Sequence, residues 1–279
     1  MRISIADWRY QSRKILFAIS ETADIEVNAI LCKVLNKDLA WCLANSNFVL
    51  DQPTVIELNR KFQSLLTGIP LPYVLGTIEF FGNQFFVDEN VLIPRPETEL
   101  LVETAIEWIN RHDKTKKVVD VGCGSGVIII SLLNHFSQIK GFGIDISRRA
   151  LNISKRNKKN HGIEHLELVQ MDCLSGIGSK VDVIVANLPY IPEDYLRDLK
   201  VSKYEPDLAL NGGQDGLMII NTLIDQIPSH LNSPGLALLE IQFDQSARVI
   251  QKAKNCIPNA AISIIKDYSS HDRIIKIEV

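Results

Sequence analysis

The last two strand-like segments of this chain, Ala261–Lys266 and Arg273–Glu278, are separated only by Asp267-Tyr268-Ser269-Ser270-His271-Asp272. A connection that short cannot make the long crossover a parallel neighbour requires, so the final strand is predicted to run antiparallel. Upstream, the apolar runs Val118–Val121, Gly141–Asp145, Leu166–Met171, Val181–Ala186 and Gly235–Ile241 are interspersed with helical stretches such as Glu97–Asn110 and Arg148–Asn160. Strands that are apolar along their whole length are covered on both faces. The pattern therefore predicts an α/β fold built on a seven-stranded, Rossmann-like, mostly parallel sheet with its last strand reversed.

The first seventy or so residues have a different texture. Val27, Ile30, Leu31, Val34 and Leu35 recur at helical spacing, with Asp24 placed to cap that segment. A second amphipathic segment carries Val55, Leu58, Phe62, Leu65 and Leu66, entered through Asp51-Gln52-Pro53 and closed by Gly68 and Pro70. Each is too short to be stable alone, so the two are expected to pack together as a small helical domain over residues 1–75. Phe80-Phe81-Gly82-Asn83-Gln84-Phe85-Phe86-Val87 suggests a β-hairpin linker across 76–92, leaving 93–279 for the sheet domain.

Composition narrows the chemistry. A net charge of −3 argues against a broad nucleic-acid-binding face. The run Arg148, Arg149, Lys155, Arg156, Lys158 and Lys159 reads as a solvated helix face, with a local patch as the alternative. Five scattered cysteines without a CxxC pair predict neither a disulfide framework nor a metal site. The N-terminus lacks the apolar core of a signal peptide, and no uncharged run reaches membrane-spanning length. A cytoplasmic protein, monomeric and without a membrane partner, is the expectation.

Val118-Val119-Asp120-Val121-Gly122-Cys123-Gly124-Ser125-Gly126 reads as a strand running into a glycine-rich turn that opens a helix at Val127. Small residues let backbone approach a ligand closely, and the helix N-terminus adds partial positive charge. Asp145 ends the next strand, where a carboxylate can accept hydrogen bonds from both ribose hydroxyls. NAD, FAD and S-adenosylmethionine all fit this combination, although the G-x-G-x-G spacing weakens the dinucleotide reading. Asp172 and Cys173, closing the third strand, are candidates to meet an adenine base.

Asn187-Leu188-Pro189-Tyr190 directly follows the strand Val181–Ala186. An amide, a rigid proline and an aromatic ring at a strand's end make a small polar pocket suited to a planar nitrogen group. The amide can hold that group through its donor and its acceptor, and the ring offers it a flat surface. A nucleoside site beside such a pocket points to methyl transfer onto nitrogen, and the reversed last strand is that of a methyltransferase-type sheet.

These residues resemble a known family. Asn187-Leu188-Pro189-Tyr190 is similar to the Asn-Pro-Pro-Tyr signature of amide and exocyclic-amine methyltransferases. Leu92-Ile93-Pro94-Arg95-Pro96-Glu97-Thr98-Glu99 resembles the signature of the peptide chain release factor glutamine methyltransferases, the PrmC/HemK family. Pro72-Tyr73-Val74-Leu75-Gly76, Tyr204-Glu205-Pro206-Asp207-Leu208-Ala209-Leu210 and Gly212-Gly213-Gln214-Asp215-Gly216 extend the likeness over nearly the whole chain.

The resemblance implies S-adenosylmethionine bound by Gly122, Cys123, Gly124, Ser125 and Gly126, by Asp145 and by Asn187, with Cys173 where some relatives carry Trp. It implies that Asn187, Leu188, Pro189 and Tyr190 hold a glutamine side chain of a release factor. In that role the Asn187 oxygen and the Leu188 carbonyl accept the two N–H bonds, and Tyr190 packs on the amide plane. Leu188 replaces the family's usual Pro, but its carbonyl is unaffected and activity is expected to survive. The helical domain would recognise the release factor. Arg95 and Glu97 could contact the cofactor or cap the helix starting near Pro96, and Gly212-Gly213-Gln214 reads as a flexible loop. Three alternatives share much of this pattern: a ribosomal-protein glutamine methyltransferase, a nucleic-acid adenine methyltransferase, and a cofactor-binding module without turnover.

Overall fold

The computed structural model describes residues 3–197 and 199–279. The chain falls into two compact units, Met1–Thr77 and Ile78–Val279. Among the described residues no helix is long and apolar enough to cross a membrane.

Among its described residues the first unit holds five helices: α1 (Ile5–Leu16), α2 (Ala23–Leu35), α3 (Leu39–Ala44), α4 (Gln52–Leu66) and α5 (Leu71–Leu75). Ser4 and Asp7 form a reciprocal capping box on α1, and Asp38 and Asp51 cap α3 and α4 by accepting from the Trp41 and Thr54 amides. Ile5, Trp8, Leu16, Val27, Ile30, Leu31, Leu58 and Phe62 meet in one core. Asp24 does not cap α2 as expected. Ala23 is already helical and buried, so Asp24 lies inside the first turn, where it pairs with Arg13 at 2.9 Å.

The second unit opens with the hairpin β1 (Thr77–Phe80) and β2 (Asn83–Phe86), followed by a 3-10 turn at Pro96–Thr98 and α6 (Glu99–Arg111). β3 (Lys117–Val121), α7 (Val127–His135), β4 (Lys140–Asp145), α8 (Arg148–Asn160), β5 (Leu166–Gln170) and β6 (Val181–Ala186) come next. The short α9 (Glu193–Leu196) precedes α10 (Met218–His230), β7 (Leu231–Glu240), α11 (Ser246–Cys256), β8 (Ala261–Lys266) and β9 (Asp272–Glu278). The main sheet has seven strands in the order β5-β4-β3-β6-β7-β9-β8. The first five run parallel, and β9 is antiparallel to both β7 and β8, which is the predicted reversal.

Both faces of the sheet are buried. Val118, Val183, Val185, Leu236 and Leu238 pack against α6 and α7, while Val119, Val121, Ile184, Ala186 and Leu239 pack against α10 and α11. Each buried Val, Leu or Ile side chain among them contributes roughly 1.5–3 kcal/mol on burial. β7 begins at Leu231 instead of Gly235: Leu231 pairs with Val181 before the register slips to Leu236 opposite Val183. The polar and turn-forming residues Asn232-Ser233-Pro234-Gly235 conceal that early start in the sequence.

α8 ties neighbouring parts together through Asn157, which is buried. Its side chain accepts from the Phe86 amide at 2.7 Å and donates to the carbonyls of Phe86 and Ser125. Part of the basic run on this helix is used within the fold, since Arg156 lies over the Phe86 ring and Lys158 donates to the Leu166 carbonyl.

Candidate active site

The carboxyl ends of β3, β4 and β6 open onto one cavity. Its nucleoside-like half begins at the turn after β3, where Gly122, Gly124 and Gly126 have φ of +72°, +54° and +82°. These left-handed angles favour glycine. A Cβ on Gly122 would also stand 2.9 Å from Leu188 Cδ2, so the turn and the Asn187–Tyr190 loop are packed against one another. Gly122, Cys123, Gly124 and Ser125 line the cavity. Gly126 does not; it turns the chain into α7 against Ser154, whose Oγ would lie 2.5 Å from an added Cβ.

Asp145 faces the same space from the end of β4. Its Oδ2 accepts from the Gly124 amide at 2.9 Å and its Oδ1 from the Ser147 amide at 2.8 Å. Burial raises its pKa above the ordinary carboxylate value, against the pull of those two amides. Each oxygen keeps lone-pair capacity for a diol. Ile146, Met171, Asp172 and Cys173 line the cavity beside it, with Cys173 at φ +46° and its thiol pushed up to about 12 chiefly by burial. Asp120, by contrast, points under the turn toward α7, where its Oδ2 accepts from the Ile129 amide. Burial pushes its carboxyl up to about 8.

The acceptor half is made by Asn187, Leu188 and Pro189. Asn187 Nδ2 donates to Thr98 Oγ1 over 3.0 Å, which turns its Oδ1 away from that partner and leaves it to accept. Thr98 also lines the cavity, as do Leu92 and Pro94. Tyr190, expected to pack on the target amide, is not among the residues lining the cavity; its half-buried ring packs against the core cluster of the sheet unit. Burial and the nearby Glu240 charge raise its phenol pKa, so the ring carries a hydroxyl that stays protonated.

The loop containing Gly212-Gly213-Gln214 is a brace and not the free loop expected. The Gly212 amide donates to the Ile191 carbonyl at 2.9 Å and the Glu193 amide to the Gly213 carbonyl at 3.0 Å. Gly216, at φ +75°, lies so close that a Cβ there would meet the Tyr190 carbonyl at 2.3 Å. Gln245 Nε2 donates to that same carbonyl at 2.9 Å.

Arg95 neither faces the cavity nor caps a helix through its side chain. Its guanidinium meets Glu205 Oε1 at 2.6 Å, and Glu205 Oε2 accepts from the Ile93 amide. This buried carboxylate joins the Leu92–Glu99 segment to the Tyr204–Leu210 segment, both of which contribute residues to the cavity wall. Glu97 does not line the cavity either.

Three residues were not singled out from sequence: Thr98, Ile146 and Glu205. Thr98 and Glu205 lie within recognisable segments, yet their partners are distant in the chain. Ile146 follows Asp145 directly, and an exposed apolar residue at a strand's end is the signal that marks it.

The arrangement suits a nucleoside-bearing cofactor. It offers a glycine turn whose backbone lines the cavity, a carboxylate with spare acceptor capacity and a partly apolar slot, next to an oriented carboxamide. Comparisons with known proteins agree. The family model described as "Methyltransferase small domain" matches residues 96–200. A protein of Bacillus anthracis named release factor glutamine methyltransferase is 34% identical over 90% of this chain and 90% of its own length. One of the same name from Clostridium botulinum is 36% identical, again over 90% of both chains. The hMettl16 catalytic domain superposes with a TM-score of 0.56 at 12% identity, covering 83% of this chain and 84% of that one, a likeness of fold.

Proposed function

The chain belongs to the release factor glutamine methyltransferases, and we propose that its cavity transfers the methyl group of S-adenosylmethionine to the side-chain amide nitrogen (N5) of the glutamine in a release factor's Gly-Gly-Gln motif. One observation carries this reading: the Asn187 carboxamide, oriented by Thr98, lines the same cavity as the glycine turn and Asp145.

S-adenosylmethionine, when bound, supplies a methyl group on a positively charged sulfur. Asp145 would hold its ribose hydroxyls, Gly122 to Ser125 would lie against the nucleoside and amino-acid portions, and Ile146 with Cys173 would flank the base. An amide nitrogen is a poor nucleophile because its lone pair is delocalised into the carbonyl. The task of the protein is therefore to align and polarise it. Asn187 Oδ1 and the Leu188 carbonyl would accept its two N–H bonds, and Pro189 would stiffen the loop that carries them. Fixing a reactant in this way is worth up to ~7–11 kcal/mol of barrier in favourable cases. Acceptors aimed at the nitrogen also favour the positive charge it develops during transfer. Tyr190 would act from behind, as the loop's anchor, through the tie of its carbonyl to Gln245.

The helical unit is the proposed docking platform for the release factor. Tyr10, Phe17, Ile19 and Ile25, all well exposed there, support that role. Incubation with isotopically labelled methyl donor and release factor tests the assignment. Label is expected on the wild-type motif and is expected to vanish when its glutamine is replaced by alanine; label persisting on the altered motif would overturn it.

A further inference from the structure

The carboxyl end of β7 holds a carboxylate that the reading above leaves without a task. In the sheet register Ala186 of β6 pairs with Leu239 of β7, so the next residues along, Asn187 and Glu240, stand side by side. Strand alternation sends both toward the α6 face, where Thr98 lies just ahead of that helix. Glu240 is 1% exposed, and its Oε2 has no hydrogen-bond partner among the described residues. Leaving such an oxygen buried and unused is costly, which makes its neighbours informative.

We propose that Glu240 is a positioning residue for methyl transfer, acting through the Thr98 hydroxyl to set which atom of the Asn187 amide faces the cavity. The inference rests on Asn187 serving as acceptor for the target amide. A hydroxyl that accepts from Asn187 Nδ2 still has its own hydrogen to donate. An ionised carboxylate only accepts, so beside it Thr98 donates to Glu240 and keeps its lone pairs for the Asn187 amino group. Asn187 Oδ1 then faces the cavity. Protonation gives Glu240 a donor of its own, and when that O–H is given to Thr98 the Thr98 hydrogen is freed for Asn187 Oδ1. The amide then turns over and presents an NH2 group, the wrong polarity for holding another N–H.

The surroundings of Glu240 make this polarity responsive to pH. Burial pushes its carboxyl up to about 7, and Glu97 beside Thr98 pushes the same way. The Thr98 and Tyr190 hydroxyls and the Arg273 guanidinium of β9 favour the ionised form. Arg273 is itself held by Asp267 at 3.0 Å. Activity should therefore rise with pH through about 7 as Glu240 ionises.

The test follows single-turnover methylation of release factor by the full chain from about pH 5.5 to 9, with S-adenosylmethionine affinity measured separately. The wild type is expected to lose activity by about tenfold per pH unit on the acid side, with cofactor affinity nearly unchanged. Glu240→Gln is expected to flatten that limb while still binding cofactor. Thr98→Val should lower the rate about tenfold or more and Thr98→Ser should restore it, which keeps the inference testable if the Glu240 variant does not fold. A flat wild-type profile, an acid limb that survives in Glu240→Gln, or full activity in Thr98→Val would overturn it. Absence of methylated release factor at every pH would instead overturn the assigned reaction.

Discussion

Leu188 Cδ2 occupies the space that a side chain at Gly122 would need, 2.9 Å from where its Cβ would sit. The contact joins the cofactor turn to the acceptor loop, so a change on one side is felt on the other. Leu188 stands where the resembled signature has Pro, and its buried side chain supplies this packing.

Gly122→Ala is accordingly expected to weaken S-adenosylmethionine binding by about tenfold or more, since a left-handed residue with a side chain costs of order 1–3 kcal/mol before any clash. Titration calorimetry on the folded variant checks this. Wild-type affinity would mean that the turn does not touch the cofactor.

Arg95→Ala should destabilise the sheet unit by about 3 kcal/mol, toward the lower end for a buried ion left unpaired because Arg95 itself is a third exposed. Denaturant unfolding gives the value. The buried partner predicts that the double variant Arg95→Ala/Glu205→Gln recovers part of the loss. No recovery would mean that the pair is not the source.

Asp120 predicts a pH dependence of stability. Its carboxyl is raised from 3.8 to about 8 by burial, so the folded state holds the proton more tightly than the unfolded chain. The stabilisation is complete below pH 3.8 and is lost progressively as pH rises toward about 8. Asp120→Asn removes the titrating group and keeps an acceptor for the Ile129 amide. Its melting temperature relative to wild type should rise between about pH 5 and 8, and a constant difference would show that Asp120 does not titrate as described.

Much of the architecture was legible because it depends on local pattern. Continuous apolar runs marked the buried parallel strands, α8 coincides with the predicted Arg148–Asn160, and the short final connection required the reversed strand. The glycine turn, Asp145 and Asn187 were legible because each sits at the end of a strand. What stayed hidden depends on distant partners. Thr98 and Asn187 are 89 residues apart in sequence, and Arg95 and Glu205 are 110 apart. No local rule pairs them. The tie of the Tyr190 carbonyl to Gln245, 55 residues away, was hidden for the same reason. Asp24 was misread because α2 begins one residue earlier, at the buried Ala23, and its partner Arg13 lies on another helix.

Asn187 carries the most weight in this reading, and its removal is the most direct trial. Wild type and Asn187→Ala, each saturated with S-adenosylmethionine, are mixed with release factor, and methylation of the motif glutamine is followed by mass spectrometry over a single turnover. The variant is expected to fold and to bind cofactor, yet to transfer the methyl group about 10²–10³ times more slowly. Transfer at the wild-type rate would contradict the role given to the Asn187 carboxamide.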